Sequence, residues 1–150
     1  MSVTSNPDNK ITVKYTPPDP KKNIEANIDI TFANPPRVPF GTQTTFPVVR
    51  GSSNFDFSAL SVRGRNNVGK ASNVWRTFHG GNDASAKFMG QGPYVTHVKA
   101  DKKKSMSFTV VNNYAKEGGR LHFQITIHSN NKYFTSDDPE IPLDPKPVGL

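Results

Sequence analysis

The chain has 150 residues, the size of one domain, and its 33% hydrophobic and 21% charged residues describe a lean-cored globular protein rather than a charged disordered polymer. It contains no cysteine, which excludes disulfides, thiolate-held zinc and thiol nucleophiles and fits synthesis in a reducing compartment. The net charge of +7 is unevenly placed: between Arg63 and Lys104 stand nine bases (Arg63, Arg65, Lys70, Arg76, Lys87, Lys99, Lys102, Lys103, Lys104) against Asp83 and Asp101, so this stretch carries the whole excess.

The start, Met1-Ser2-Val3-Thr4-Ser5-Asn6, has neither a basic cluster nor an apolar core, so no secretory signal is expected and the predicted location is cytoplasmic. Residues 1–9 read as a flexible end to a single domain covering 1–150. No run approaches the roughly 18 apolar residues of a membrane-spanning helix.

Period-two alternation then marks half-buried strands. Ile11, Val13 and Tyr15 show it briefly, ahead of the turn Pro17-Pro18-Asp19-Pro20. Ile24, Ala26, Ile28, Ile30 and Phe32 alternate with Glu25, Asn27, Asp29 and Thr31, and Asn34-Pro35-Pro36 ends the run. Thr44 to Val49 is a further strand candidate. In Ser53 to Val62 the apolar phase slips from Phe55 and Phe57 to Leu60 and Val62, which predicts a bulge or strand end near Ser58.

Gly64-Arg65-Asn66-Asn67-Val68-Gly69-Lys70-Ala71 matches a phosphate-binding loop except at its last position, where Ala71 lacks the hydroxyl that would hold magnesium. A base-bearing hairpin loop is the expectation. Asn73 to His79 and Tyr94 to Ala100 are weaker strands, separated by Gly80-Gly81-Asn82-Asp83. Asn82 to Met89 is the one stretch that would admit a short helix or turn.

Met106, Phe108 and Val110 alternate with Ser107 and Thr109, and Leu121, Phe123, Ile125 and Ile127 with His122, Gln124, Thr126 and His128. Between them lie the turn residues Asn112-Asn113 and Gly118-Gly119, and Lys132 to Ser136 follows as a last strand. Asp137 to Leu150 holds Pro139, Pro142, Pro145 and Pro147, and is expected to run extended over the surface without regular secondary structure. These elements predict an all-β fold: a two-sheet antiparallel sandwich, immunoglobulin-like or jelly-roll, with an extended Pro-rich tail. Ile28, Ile30, Phe108, Phe123 and Ile125 are its expected inward-facing core.

No constellation for catalysis emerges. Gly-x-Ser-x-Gly and His-Glu-x-x-His are absent. Glu25 and Asp29 share a strand face about 13 Å apart, too far for the paired carboxylates of glycoside hydrolysis. The four histidines, His79, His97, His122 and His128, form no His-x-His pair, and the tail acids Asp137, Asp138, Glu140 and Asp144 lack calcium-loop spacing. No enzyme, metal or cofactor is predicted.

Sugar binding asks for an aromatic face beside amides and carboxylates. Trp75 and Phe78 lead into His79 and the Gly80 to Asp83 turn, with Tyr94 beyond, so Trp75, His79, Asn82, Asp83 and Tyr94 are the candidate glycan-binding residues. The bland alternative places Trp75 in the core. Arg63, Arg65, Lys70, Lys102, Lys103 and Lys104 are the candidate anion-binding residues if the bases converge; scattered on loops, they would be solvated charges.

One segment carries a family cadence: Phe108-Thr109-Val110-Val111, then Leu121 to Ile127, then Lys132-Tyr133-Phe134-Thr135-Ser136-Asp137-Asp138-Pro139-Glu140-Ile141. Over Ser107 to Pro142 the chain resembles the closing strands of the bacterial PixA/AidA inclusion-body protein family, with their Tyr-Phe, Asp-Pro and Ile signature. It departs at Ser136-Asp137, where the family has an aromatic before the Asp-Pro. The resemblance implies a soluble, non-enzymatic sandwich that self-associates or binds a ligand, and it carries over no site residue. The resulting expectation is a lectin-like carbohydrate-binding protein. Its alternatives are a self-assembling particle or inclusion-body subunit, hence a homo-oligomer, and a basic binder of nucleic acid or another polyanion.

Overall fold

The computed structural model describes residues 9–66, 75–79, 84–88, 91–101, 104–113 and 116–148. Its strands are β1 (Ile11–Thr16), β2 (Asn27–Phe32), β3 (Thr42–Arg50), β4 (Asp56–Asn66), β5 (Arg76–Phe78), β6 (Ala84–Phe88), β7 (Gln91–Asp101), β8 (Ser105–Asn112), β9 (Gly119–Ser129), β10 (Lys132–Thr135) and β11 (Glu140–Leu143). A 3-10 turn, Pro20–Lys22, joins β1 to β2; Asp19 caps it by accepting from the Lys21 N–H at 3.1 Å.

Two sheets form from these strands, one ordered β2-β1-β3-β8-β7-β6 and the other β10-β9-β4-β5, with β11 also paired to β9. Every pairing between these strands is antiparallel except β1 with β3. The order β3-β8-β7 facing β10-β9-β4-β5 is the immunoglobulin-like arrangement rather than the jelly-roll. The added β1–β2 hairpin sits at the edge beside β3.

Alternation determines what each strand buries. On β9, Leu121, Phe123, Ile125 and Ile127 are fully buried, while His122, Gln124, Thr126 and His128 between them are half-buried on the outer face. Phe108 on β8 is fully buried as well, while Ile28 and Ile30 face the same core from β2 but are only partly covered. The phase slip in the Ser53 to Val62 run is a β-bulge: Phe57 lies opposite Ile127 and Ala59 opposite Thr126, so Ser58 is the extra residue. It allows Phe55, Phe57, Leu60 and Val62 all to reach the core.

Two expectations are corrected. Ala84–Phe88, in the stretch that would admit a short helix, is strand β6. Its pairing with β7 supplies backbone partners that a local helix would otherwise have to supply. The tail, expected to be extended but irregular, is extended yet contains β11. Proline blocks a central strand, but Pro142 lies opposite Arg120 in a strand that borders the sheet, and alternation still sends Ile141 and Leu143 into the core. On its other side β11 meets Val38, through bonds of 3.0 Å from the Val38 N–H to the Pro142 carbonyl and from the Asp144 N–H to the Val38 carbonyl.

Candidate functional site

The outer face of the five-stranded sheet collects polar side chains in rows fixed by strand register. Arg63 on β4, His122 on β9 and Glu140 on β11 lie side by side across three strands. Asp56, His128 and Tyr133 form a second row toward the opposite end.

In the first row basic and acidic side chains alternate. Arg63 Nη2 lies 3.7 Å from Asp138 Oδ2, His122 Nδ1 is 3.8 Å from that same oxygen, His122 Nε2 is 3.7 Å from Glu140 Oε1, and Arg120 Nη1 is 3.5 Å from Glu140 Oε2. All four distances exceed a good hydrogen bond, and pairs of this exposure contribute about 0–1 kcal/mol each. The Nδ1 of His122 is buried with no hydrogen-bond partner among the described residues. Arg63 also lies over the indole of Trp75, 4.7 Å from the ring centroid. This row therefore ties the acidic tail to the sheet, and the tail carboxylates answer its arginines. No group of three or more metal-ligating side chains stands together among the described residues.

The second row borders an open recess of about 330 Å³, lined by Ser53, Asn54, Phe55 and Asp56 before and at the start of β4 and by His128, Ser129 and Asn130 at the end of β9. Its frame is held by hydrogen bonds. Asn54 Nδ2 donates to the Tyr15 carbonyl at 3.0 Å, Ser52 Oγ donates to Asn54 Oδ1 at 2.8 Å, and Ser129 Oγ donates to the Asn54 carbonyl at 2.8 Å. Arg50 donates to the Phe55 carbonyl at 2.8 Å and lies 3.7 Å from Asp56. Beneath these groups Phe55, almost wholly buried, packs edge-on against Tyr15 and Phe57, so the surface the recess presents is mostly polar.

The β9–β10 hairpin turns on Asn130 and Asn131, both with positive φ (50° and 63°), as a two-residue primed turn demands. This turn delivers Tyr133 opposite His128, with the rings 4.6 Å apart and tilted by 33°. Tyr133 is 67% exposed.

The sequence-predicted residues are distributed as follows. Trp75 is half-buried just before β5, His79 is exposed just after it, and Tyr94 lies in β7 of the other sheet. Asn82 and Asp83 lie outside the described residues, as do Lys70, Lys102 and Lys103. Of the remaining anion-binding candidates, Arg63 is engaged by Asp138 and Trp75, Lys104 is exposed, and Arg65 pairs in register with Arg120. The described residues bring Trp75 together with Arg63, joining a glycan candidate to an anion candidate. Tyr133 sits across the sheet, on the far side of β9 and β4 from Trp75. Sequence reasoning passed over the recess because its two walls are more than 70 residues apart; the Asn130-Asn131 turn followed by an aromatic was its one local signal.

No family model matches the chain, and no curated protein matches it. Among solved structures it is similar to a chain of the structure describing T cell specificity and activation by the bacterial superantigen toxic shock syndrome toxin-1. The identity is 12% and the TM-score 0.45, over 71% of this chain and 88% of that one. A likeness of that degree names no family, ligand or partner. Among the described residues no helix is long and apolar enough to cross a membrane.

Proposed function

We propose that this domain is a non-enzymatic carbohydrate-binding module that takes a neutral sugar at the recess beside Tyr133. The observation that carries the reading is Tyr133 itself: an exposed ring, backed by His128, next to a recess bordered by a carboxylate, amides and hydroxyls. An aromatic face packs on sugar C–H groups, while Asp56, Asn130, Ser53 and His128 offer acceptors and donors for hydroxyls. Backing by His128 and the fixed Asn-Asn turn means little side-chain entropy is lost on binding. A polyanion is the poorer fit on this face, because Arg63 and Arg120 already face carboxylates.

A glycan array followed by calorimetry on the best hit tests this. Tyr133→Ala and Asp56→Ala should each abolish or weaken binding at least tenfold without changing the melting temperature. The fluorescence of Trp75 should stay unchanged on saturation, since Trp75 stands across the sheet. A blue shift of Trp75 on binding would instead place the sugar at the site expected from the sequence, around Trp75 and Asp83. An empty array would remove the carbohydrate reading.

A further inference from the structure

Past the recess, the outer face of the five-stranded sheet continues along β9 as a strip of uncharged side chains. Residues directly opposite each other on paired strands share a face. Beyond the row of Asp56, His128 and Tyr133, register therefore sets Thr126 of β9 beside Thr135 of β10 and Ala59 of β4. The following row sets Gln124 of β9 beside Ser61 of β4, which in turn lies beside Thr77 of β5. Charge returns only where Arg63 and His122 approach the Asp138 carboxylate, and there Arg63 covers Trp75. From His128 to Gln124 the strip runs about 13 Å along the strand, the span of about two to three linked sugar units.

The side chains of this strip suit a hydroxylated ligand. The Thr126 and Thr135 hydroxyls lie 3.0 Å apart, and those of Ser61 and Thr77 lie 2.9 Å apart. A single bond within the Thr126–Thr135 pair leaves one hydroxyl proton and further lone pairs for a ligand. Gln124 is half-buried, and its side-chain amide has no partner among the described residues. That amide carries a donor and an acceptor side by side, which adjacent sugar hydroxyls can answer together. On β4 the strip holds only the short side chains of Ala59 and Ser61, both buried, so a sugar ring meets no tall side chain there.

We propose that the sugar site extends along β9 from the recess to Gln124, and that its ligand is a neutral linear oligosaccharide. One unit occupies the recess, and a further unit bonds to Gln124 and to the Thr126–Thr135 pair. The extension rests on the carbohydrate reading of the recess and adds to it the length and charge of the ligand. An acidic chain laid on this strip would have Asp56 at one end and Asp138 at the other, so a neutral chain is favoured.

The test is a length series of the best array sugar, as mono-, di- and trisaccharide, measured by chemical-shift titration, which reads weak and tight binding alike. The wild type should bind the trisaccharide roughly tenfold or more tightly than the monosaccharide. Gln124→Ala should shrink that ratio at least about threefold, and Gln124→Glu, which keeps the size but loses the N–H donors, should do the same. Thr135→Val, at an exposed position, should shrink it as well. Asp56→Ala should weaken every length. Equal affinity for all three lengths, or a ratio untouched by both Gln124 variants, overturns the extension and leaves the recess reading standing. An empty array, or binding indifferent to Asp56→Ala at every length, overturns the recess reading and the extension with it.

Discussion

Without cysteine, the two sheets are tied at their centre by aromatic rings. Phe46 on β3 stacks on Phe108 of β8 at 5.6 Å, and Phe108 reaches Phe123 of β9 in the facing sheet, also at 5.6 Å. Phe32 meets Phe123 edge-on at 6.0 Å. Truncating Phe123 to Ala removes the shared member, and denaturant unfolding should show a loss of about 3–5 kcal/mol. Asn112 acts as a second tie, fully buried, with Nδ2 donating to the Val38 carbonyl at 2.8 Å and the Asp144 carbonyl at 2.9 Å. Asn112→Ala takes that donor from the Asp144 carbonyl and leaves the Val38 carbonyl with the Asp144 N–H alone, and should cost about 1–3 kcal/mol. Asn112→Asp should cost more, because a carboxylate would face the two carbonyl oxygens. Burial pushes the Tyr15 phenol above its usual value of 10.0. A group raised on folding contributes stability that is present below its unfolded value and lost as pH rises through the folded one. Unfolding measured above pH 10 should therefore steepen with pH in the wild type and less so in Tyr15→Phe.

Strand β11 shows how little of the tail is dispensable. Ile141 and Leu143 are buried, the Phe123 N–H donates to the Pro139 carbonyl at 3.2 Å, and the Ser136 hydroxyl accepts from the Ile125 N–H at 3.0 Å. Deleting 142–150 should cost at least about 2–5 kcal/mol from Leu143 alone, seen as a lowered denaturation midpoint. A free surface arm would leave that midpoint unmoved. Strands β2 and β9 were legible in the sequence because each turns one apolar face inward and leaves the other polar, and β8 through Met106, Phe108 and Val110, although Thr109 and Val111 on its other face are buried too. The Ser58 bulge was legible too, since one extra residue is the local way to restore phase. Strand β11 was hidden because four prolines signal irregularity, while its pairing depends on β9 and Val38, which are remote in sequence. Strand β6 was hidden because Ala84-Ser85-Ala86-Lys87-Phe88 carries no β-branched residue, and only its pairing with β7 decides its conformation. The recess needed both the β3–β4 connection and the β9–β10 turn, and no single window of sequence contains them.

For the whole molecule, the +7 net charge and the proposed neutral ligand make opposed predictions about salt. Four of the described arginines, Arg37, Arg50, Arg63 and Arg120, lie within ion-pair reach of Asp144, Asp56, Asp138 and Glu140. Such matching disperses the potential that a net positive charge would otherwise concentrate. A sugar held by Tyr133, Asp56 and Asn130 releases no counterions, so its affinity should change less than about twofold across the salt range in which a polyanion contacting six or more phosphates loses roughly a thousandfold. Calorimetry on the best array hit at low and high salt, beside a heparin column run, separates the two. A flat response with early elution from heparin supports the recess. A steep fall in affinity, with the largest loss on reversing Lys102, Lys103 and Lys104 together, would move the binding surface to the basic stretch between Arg63 and Lys104.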